Sequence, residues 1–376
     1  MESPFWLRPS SAGTWANCPG SVALSAQYPE EEGPEAAEGT AAHWAATETL
    51  QGRAIDAVAP NSIAITDEMI EGAALYTAAV LERVPFAAMN VEQTLPAPEI
   101  HGLCGGTSDT WGRGHEPYVI HVIDYKFGFG FVEVFENWQL LAYVSQALSE
   151  LIRRGEWSWE HEPHTLIELT IVQPRSYHRD GPVRSWRVRL TDLRAHFNQL
   201  RAAAEEAAKP NAPTKVGEYC RYCPARHACV TLQSAALDAC DVAGKATPFD
   251  LTPTQTGNEL RRLHAYARVM KARIDGLEVQ AMAMIRQGKG VPHYAAEPTL
   301  GRLTWKDGLA DSVLMIGDAL GKDLRKPVSP ITPTQAKSLG IDEAVIAEYA
   351  HRPRGETKLV PFNNTQTRKI FGGIKA

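Results

Sequence analysis

Three cysteines in the run CRYCPARHAC, Cys220, Cys223 and Cys229, have the spacing Cys-x2-Cys-x5-Cys. Two thiolates three residues apart can grip one metal centre from a tight turn. A third, six residues on, can return from the start of a following helix. Soft centres normally take four ligands, around one zinc or on an iron–sulfur cluster. The best fourth candidate is Cys18, which also sits beside a proline after a small-residue turn. A centre built this way must join the first 20 residues to a loop about 200 residues later, so the fold has to bring those two places together. Cys104 lies in a β-like run, Cys240 in an expected linker, and His227 is an alternative ligand on the same loop. Spacing alone leaves zinc and cluster open, although tetrahedral zinc sites more often pair two Cys-x2-Cys units.

A second constellation spans residues 38–143. Gly105-Gly106-Thr107-Ser108-Asp109 lies in one β-like run and Ile123-Asp124-Tyr125-Lys126 ends the next. Side chains two apart on a strand share a face, so Asp124 and Lys126 point the same way. If the runs pair as a hairpin, Asp109 reaches that face. Two carboxylates bind a hard divalent cation through oxygen, and such a cation activates water and neutralises phosphate charge. The lysine would orient or deprotonate that water, or stabilise the pentacoordinate phosphorus. Upstream, Glu38-Gly39-Thr40-Ala41-Ala42-His43 opens a helix, and His43 can supply a nitrogen ligand. Downstream, Gln139 and Tyr143 are four apart and share a helical face, where they can touch a nucleotide or position the lysine.

The predicted elements frame these residues. Helices are expected at Gly39–Leu50, Thr66–Arg83, Glu136–Arg153, Thr191–Ala208 (capped by Thr191) and Thr254–Gln287, by apolar spacing and capping residues. Strands are expected at Val91–Leu95, Gly102–Trp111, Tyr118–Tyr125, Leu166–Val172 and Val183–Leu190. Glu30–Glu38 reads as an acidic loop and Ala235–Leu251 as a linker. The last long helix places Leu260, Leu263, Tyr266, Met270, Ile274 and Leu277 at helical spacing, which predicts a buried face.

Charge is uneven. Residues 251–376 hold 19 basic and 12 acidic side chains, on a chain whose net charge is −6. A basic C-terminal third on an acidic body suits a polyanion partner, because clustered Lys and Arg gain from counterion release. Arg261 and Arg268 on the long helix, and Arg175 and Arg179 after the fourth strand, are candidate nucleic-acid contacts. No run of about 18 apolar residues is present, and the N-terminus lacks the basic start and apolar core of a secretory signal. The expectation is a cytoplasmic protein without a membrane partner. Structural disulfides are rare in that compartment, which again favours a metal role for the cysteines.

Taken in order, Cys18, Gly39-Thr40-x-x-His43, Gly106-x-x-Asp109, Asp124-Tyr125-Lys126, Gln139-x3-Tyr143 and Cys220-x2-Cys223-x5-Cys229 resemble the RecB-like branch of the PD-(D/E)xK nucleases. More narrowly the layout is similar to the iron–sulfur members, such as the AddB nuclease domain and the CRISPR-associated exonucleases, and to a phage-encoded family. The resemblance covers about residues 8–230. It implies an α/β, restriction-endonuclease-like core, a mixed sheet flanked by helices, with an iron–sulfur staple and a mainly helical accessory region. The implied division is 1–235 for the nuclease domain, 236–253 for a linker and 254–376 for the basic accessory region. It implies that His43, Asp109, Asp124 and the Tyr125 carbonyl bind Mg²⁺ or Mn²⁺, and that Lys126 is catalytic. Gln139 and Tyr143 would match the family's fifth motif. Cys18, Cys220, Cys223 and Cys229 would hold a [4Fe–4S] cluster that ties the N-terminal segment to the end of the core. The implied activity is DNA exonuclease action on single- or double-stranded linear ends, in phage recombination or replication, with a homo-oligomer or a recombination or replication protein as possible partner. The alternative is a non-catalytic DNA-binding or assembly protein on the same fold.

Overall fold

The computed structural model describes residues 5–28, 33–176, 178, 180–243, 250–296 and 315. Two compact units divide the chain, one of residues 1–284 and 364–376 and one of residues 285–363. In the second unit the described residues are 285–296 and 315, which include a short bridge between Val291 and Tyr294.

The first unit is α/β. Five strands form one sheet in chain order, β1 (Met89–Pro96), β2 (Gly105–Arg113), β3 (Val119–Tyr125), β4 (Leu166–Val172) and β5 (Val183–Arg189). Every neighbour is antiparallel except β3 and β4, which run parallel from Val119↔Leu166 to Tyr125↔Val172. A parallel pair needs a crossover, here through the helix Trp138–Arg153. All seven residues of β3 are buried, as a central strand covered on both faces requires. Its side chains divide by parity: Ile120 and Val122 join the core beneath the crossover helix, while Ile123 and Tyr125 join the core on the other face.

The helices are α1 (Ala12–Trp15), α2 (Ser21–Ser25), α3 (Pro34–Leu50), α4 (Asp67–Arg83), α5 (Trp138–Arg153), α6 (Arg194–Ala207), α7 (Val230–Ala243) and α8 (Pro253–Arg286). The crossover α5 starts at the Asn137 cap, whose side chain accepts from the Gln139 and Leu140 amides. It buries Leu140, Leu141, Val144, Leu148 and Leu151 against one sheet face. On the other face α3 and α4 pack Ala41, Ala42, Met69, Tyr76 and Val80. Thr66 caps α4 by accepting from the Met69 amide.

Several expectations are corrected. Helix α3 begins at Pro34 inside the expected acidic loop, because proline is pre-set for a first helical turn. The expected linker is helical as far as Ala243, since α7 buries Leu232, Ala236 and Ala239; residues 244–249 lie outside the described residues. Thr191 does not cap α6; it falls in a 3-10 turn, Leu190–Leu193, that buries both leucines. The expected buried face of α8 is wrong too. Leu260, Leu263, Ile274 and Leu277 are exposed, and the buried residues of α8 are Ala272 and Gly276. The small-residue side docks because the approach is too close for a side chain: a Cβ at Gly276 would lie 2.9 Å from the His227 amide nitrogen.

Candidate active site and cysteine centre

The ends of β2 and β3 meet helices α3 and α5 in one acidic cluster. The register Thr110↔Ile123 sets Asp109 next to the end of β3, and Asp109 Oδ2 accepts from the Tyr125 amide at 2.7 Å. From α3, His43 Nδ1 lies 3.6 Å from the same oxygen. Asp124 is buried at 1% exposure, and Lys126 Nζ sits 2.9 Å from its Oδ2 and donates to its Oδ1 at 3.3 Å. The expected grouping of His43, Asp109, Asp124 and Lys126 at one strand end is therefore what the fold assembles.

Gln139 and Tyr143 sit directly on this pair. Gln139 Nε2 donates to Asp124 Oδ1 at 2.9 Å and to the Tyr143 hydroxyl at 3.0 Å, and Gln139 Oε1 accepts from Lys126 Nζ at 3.2 Å. One amide thus fixes both the carboxylate and the ammonium. Burial pushes the Tyr143 hydroxyl far above its ordinary range, with the charges of Asp124 and Asp109 adding to it, so it stays neutral.

One residue escaped sequence reasoning. The β1–β2 register is the same on both sides of Glu92, Val91↔Thr110 and Gln93↔Ser108, so Glu92 lies opposite Asp109, and it has a left-handed φ of 49°. A carboxylate oxygen of Glu92, an oxygen of Asp109 and a ring nitrogen of His43 lie within 4.8 Å of one another. Its place opposite Asp109 is set by the β1–β2 register, which the pattern of either strand alone does not give.

The electrostatics are those of crowded acids. Burial raises Asp124 to about 6, with Lys126 opposing and Asp109 adding. Burial and then the Asp109 charge raise Glu92 to about 7. Lys126 shifts the other way from a buried amine: burial works against its charge, but Asp124 and Asp109 outweigh it and move it up. The lysine is therefore an ammonium, suited to donating to an anion rather than taking a proton. Three carboxylates with an imidazole form a hard donor set that fits a divalent cation. An open cleft lined by Gly39, His43, Trp44, Glu92, Lys126 and Gly128 leads to it. Tyr125 packs under the cluster, edge-on to His43 at 5.2 Å. Helix α4 passes it at Gly72, where a Cβ would lie 2.4 Å from the Tyr125 hydroxyl.

The four cysteines also converge. Cys18, Cys220, Cys223 and Cys229 are buried and line one small cavity with Leu24, Tyr219 and Leu232. The N-terminal segment is held there by the Gly20 amide donating to the Pro213 carbonyl. Backbone amides face the sulfurs: Lys215 N donates to Cys18 Sγ at 3.3 Å and Gly217 N to Cys220 Sγ at 3.4 Å. Burial, with the neighbouring thiols adding, raises Cys18 and Cys220. Among the described residues these thiols do not form a group within 4.8 Å. The donor set fits a cluster bound by four thiolates.

The other cysteine-region candidates lie apart. His227 Nδ1 is 3.2 Å from the Pro224 carbonyl and its ring meets Tyr28 edge-on. Cys104 is buried elsewhere, its thiol raised to about 12 by burial, and Cys240 is exposed on α7. The arginine expectations fare unevenly. Arg175 is not an exposed phosphate contact: it is buried, with its guanidinium bonded to both Glu38 oxygens and to Glu68 at 2.8 Å. Arg268 pairs with Glu218 at 2.7 Å beside the cysteine loop. Arg261 is exposed on α8, and Arg179 lies outside the described residues. No described helix is long and apolar enough to cross a membrane. The family model described as "Protein of unknown function (DUF2800)" matches residues 6–367, nearly the whole sequence.

Proposed function

The chain belongs to the DUF2800 family, and from that premise and the geometry above we propose that it is a metal-dependent deoxyribonuclease of the RecB-like PD-(D/E)xK type, cutting linear DNA from its ends. The observation that carries the reading is the assembly of Asp109, Asp124, Lys126, His43 and the Gln139 clamp at one strand end. Mg²⁺ or Mn²⁺ bound by His43, Asp109, Asp124 and the Tyr125 carbonyl would supply an activated water and neutralise phosphate charge. Glu92 adds a further oxygen donor to that set. Lys126, held charged, donates to a phosphate oxygen on which negative charge grows. Gln139 keeps Lys126 and Asp124 in register, and the buried Tyr143 hydroxyl keeps Gln139 oriented. The cysteine quartet is assigned a [4Fe–4S] cluster with a structural role, supported by four converging buried thiols and the amide donors to sulfur. A role in phage DNA recombination or replication follows from the resemblance of the motifs.

The test is a cleavage time course with Mn²⁺ on end-labelled linear single- and double-stranded DNA and on a closed circle, comparing wild type with Asp124→Ala. Shortening of linear DNA from an end by wild type alone is the expected result. If both proteins bind DNA in chelator but neither cleaves when metal is added, the chain is a binding module on a nuclease-like fold and the enzymatic reading fails.

A further inference from the structure

Directly after Lys126 the chain runs Phe127-Gly128-Phe129-Gly130-Phe131, a loop that follows β3 and whose Phe127 and Gly128 line the cleft of the candidate active site. Phe127 is buried at 3%, yet Phe129 is 69% exposed and Phe131 47%. Exposed aromatics on a surface loop are ordinarily mobile, but here the loop is held rigidly from below. Gln173, with no exposed surface, donates from Nε2 to the Gly128 and Gly130 carbonyls at 2.8 and 2.7 Å, and its Oε1 accepts from the Val132 amide at 3.2 Å. Buried Arg184 secures the clamp, donating to Gln173 Oε1 at 2.8 Å and to the Val132 carbonyl at 3.0 Å. The Arg175 guanidinium lies 3.8 Å from the Phe127 ring centroid and 4.7 Å from that of Phe129. Arg175 is fixed in turn by Glu38 and Glu68. Phe129 therefore sits on an immobilised cation while most of its surface stays open. Phe131 is stacked on His178 at 4.6 Å.

A buried polar network of two arginines and a glutamine holds this apolar ring out in water. Its use is for something flat that arrives beside Lys126. Nucleobases stack on aromatic faces without regard to sequence, and a base is available for stacking where the strand is unpaired. Resting on the nuclease reading, we propose that Phe129 is a stacking platform for an unpaired nucleobase of single-stranded DNA, next to the phosphate that Lys126 faces. Because the ring is already ordered by Arg175, little conformational freedom is lost when the base binds.

The experiment measures binding and cleavage separately. Wild type, Phe129→Ala and Phe129→Trp are titrated in chelator with a single-stranded oligonucleotide carrying 2-aminopurine near its end, and with a blunt duplex. Phe129→Ala is expected to weaken single-strand binding about ten-fold and to lose the 2-aminopurine quenching, Phe129→Trp to keep both, and duplex binding to change little. With Mn²⁺, Phe129→Ala should raise KM on single strands far more than it lowers kcat. Wild-type cleavage with unchanged single-strand affinity and quenching in Phe129→Ala overturns the platform and leaves the nuclease reading standing. Wild type that neither binds nor cleaves DNA overturns both.

A second observation stands on its own. From Leu260 to Met284, α8 follows a heptad whose a and d positions are all apolar: Leu260, Leu263, Met270, Ile274, Leu277 and Met284, with alanines at the two remaining a positions. Leu260, Leu263, Ile274, Leu277 and Met284 are 37–45% exposed. The opposite side of the helix, Val269, Ala272 and Gly276, packs on the cysteine loop. A strict 3.5-residue repeat is the pattern of a helix that pairs with a like helix. We infer that this seam pairs in parallel with the same seam of a second copy of the chain. Parallel pairing brings Glu278 of the second copy, at e, beside Arg273 at g, whose guanidinium also donates to the His227 carbonyl, twice by symmetry. Antiparallel pairing centred on the seam would oppose Lys271 to Lys271 and Arg273 to Arg273.

Sedimentation of the full-length chain at micromolar concentration should give twice the 41.2 kDa chain mass. Ile274→Asp with Leu277→Asp should give the single-chain mass with an unchanged melting transition. Glu278→Arg should weaken the dimer. A monomeric wild type, as when residues 297–376 of the same chain cover the seam, or a dimer that survives the double substitution, overturns the inference.

Discussion

Glu92 and Asp124 have their carboxyls raised to about 7 and about 6 mainly by burial, and that has a measurable sign. In the unfolded chain both lose their protons near pH 4, whereas the folded chain holds them longer. Their contribution to stability is thus full below about pH 4 and declines as pH rises through about 6 to 7. In chelator, the melting temperature of wild type minus that of Glu92→Gln should fall between pH 5 and pH 8, and Mn²⁺ at pH 8 should raise the wild-type value. A difference that grows with pH would contradict the assignment. Gln139 gives a second residue-scale prediction. Gln139→Leu removes the contacts that fix Asp124 and Lys126, so kcat should drop about 10- to 100-fold with KM and melting little changed, as single-turnover kinetics would show.

At the scale of elements, close approaches decide what packs where. Helix α4 crosses Tyr125 only because position 72 has no side chain. Gly72→Ala should cost about 1–3 kcal/mol by overpacking, measured by urea unfolding. Helix α8 meets the cysteine loop at Gly276 in the same way, so Gly276→Leu should free α8 and expose it to limited proteolysis while DNA cleavage persists. The strands were legible in the sequence because β-branched and apolar runs sit between Gly and Pro breaks; Leu166–Val172 matches to the residue. The orientation of α8 was not legible. Its leucines follow helical spacing, but spacing says only that one face is apolar, and the small-residue face is the one that docks.

At the scale of the molecule, Cys18 and Cys220–Cys229 are brought to one cavity across the length of the first 229 residues. Closing so long a loop removes much unfolded-state entropy. Cys220→Ala should therefore lower the melting temperature by several degrees while the cleavage rate of the folded fraction changes little. Anaerobically purified wild type should be brown, with about four irons per chain; stoichiometric zinc without iron would refute the cluster and leave the strand-end site untouched.

The sequence by itself determined the chemistry available at the strand-end cluster and at the cysteine loop. Asp124 and Lys126 share a face because strands alternate, Gln139 and Tyr143 share one because helices repeat every 3.6 residues, and the cysteine spacing follows from a tight turn. These are local periodicities, written in nearest neighbours. The tertiary structure alone decided the rest. The β1–β2 register sets Glu92 opposite Asp109 in the cluster, Glu38 and Glu68 draw Arg175 inward as a clasp rather than a phosphate contact, and Gln173 props an aromatic loop open beside Lys126. Each of these joins residues far apart in the chain, and no local period encodes the backbone path that brings such residues within a hydrogen bond of one another.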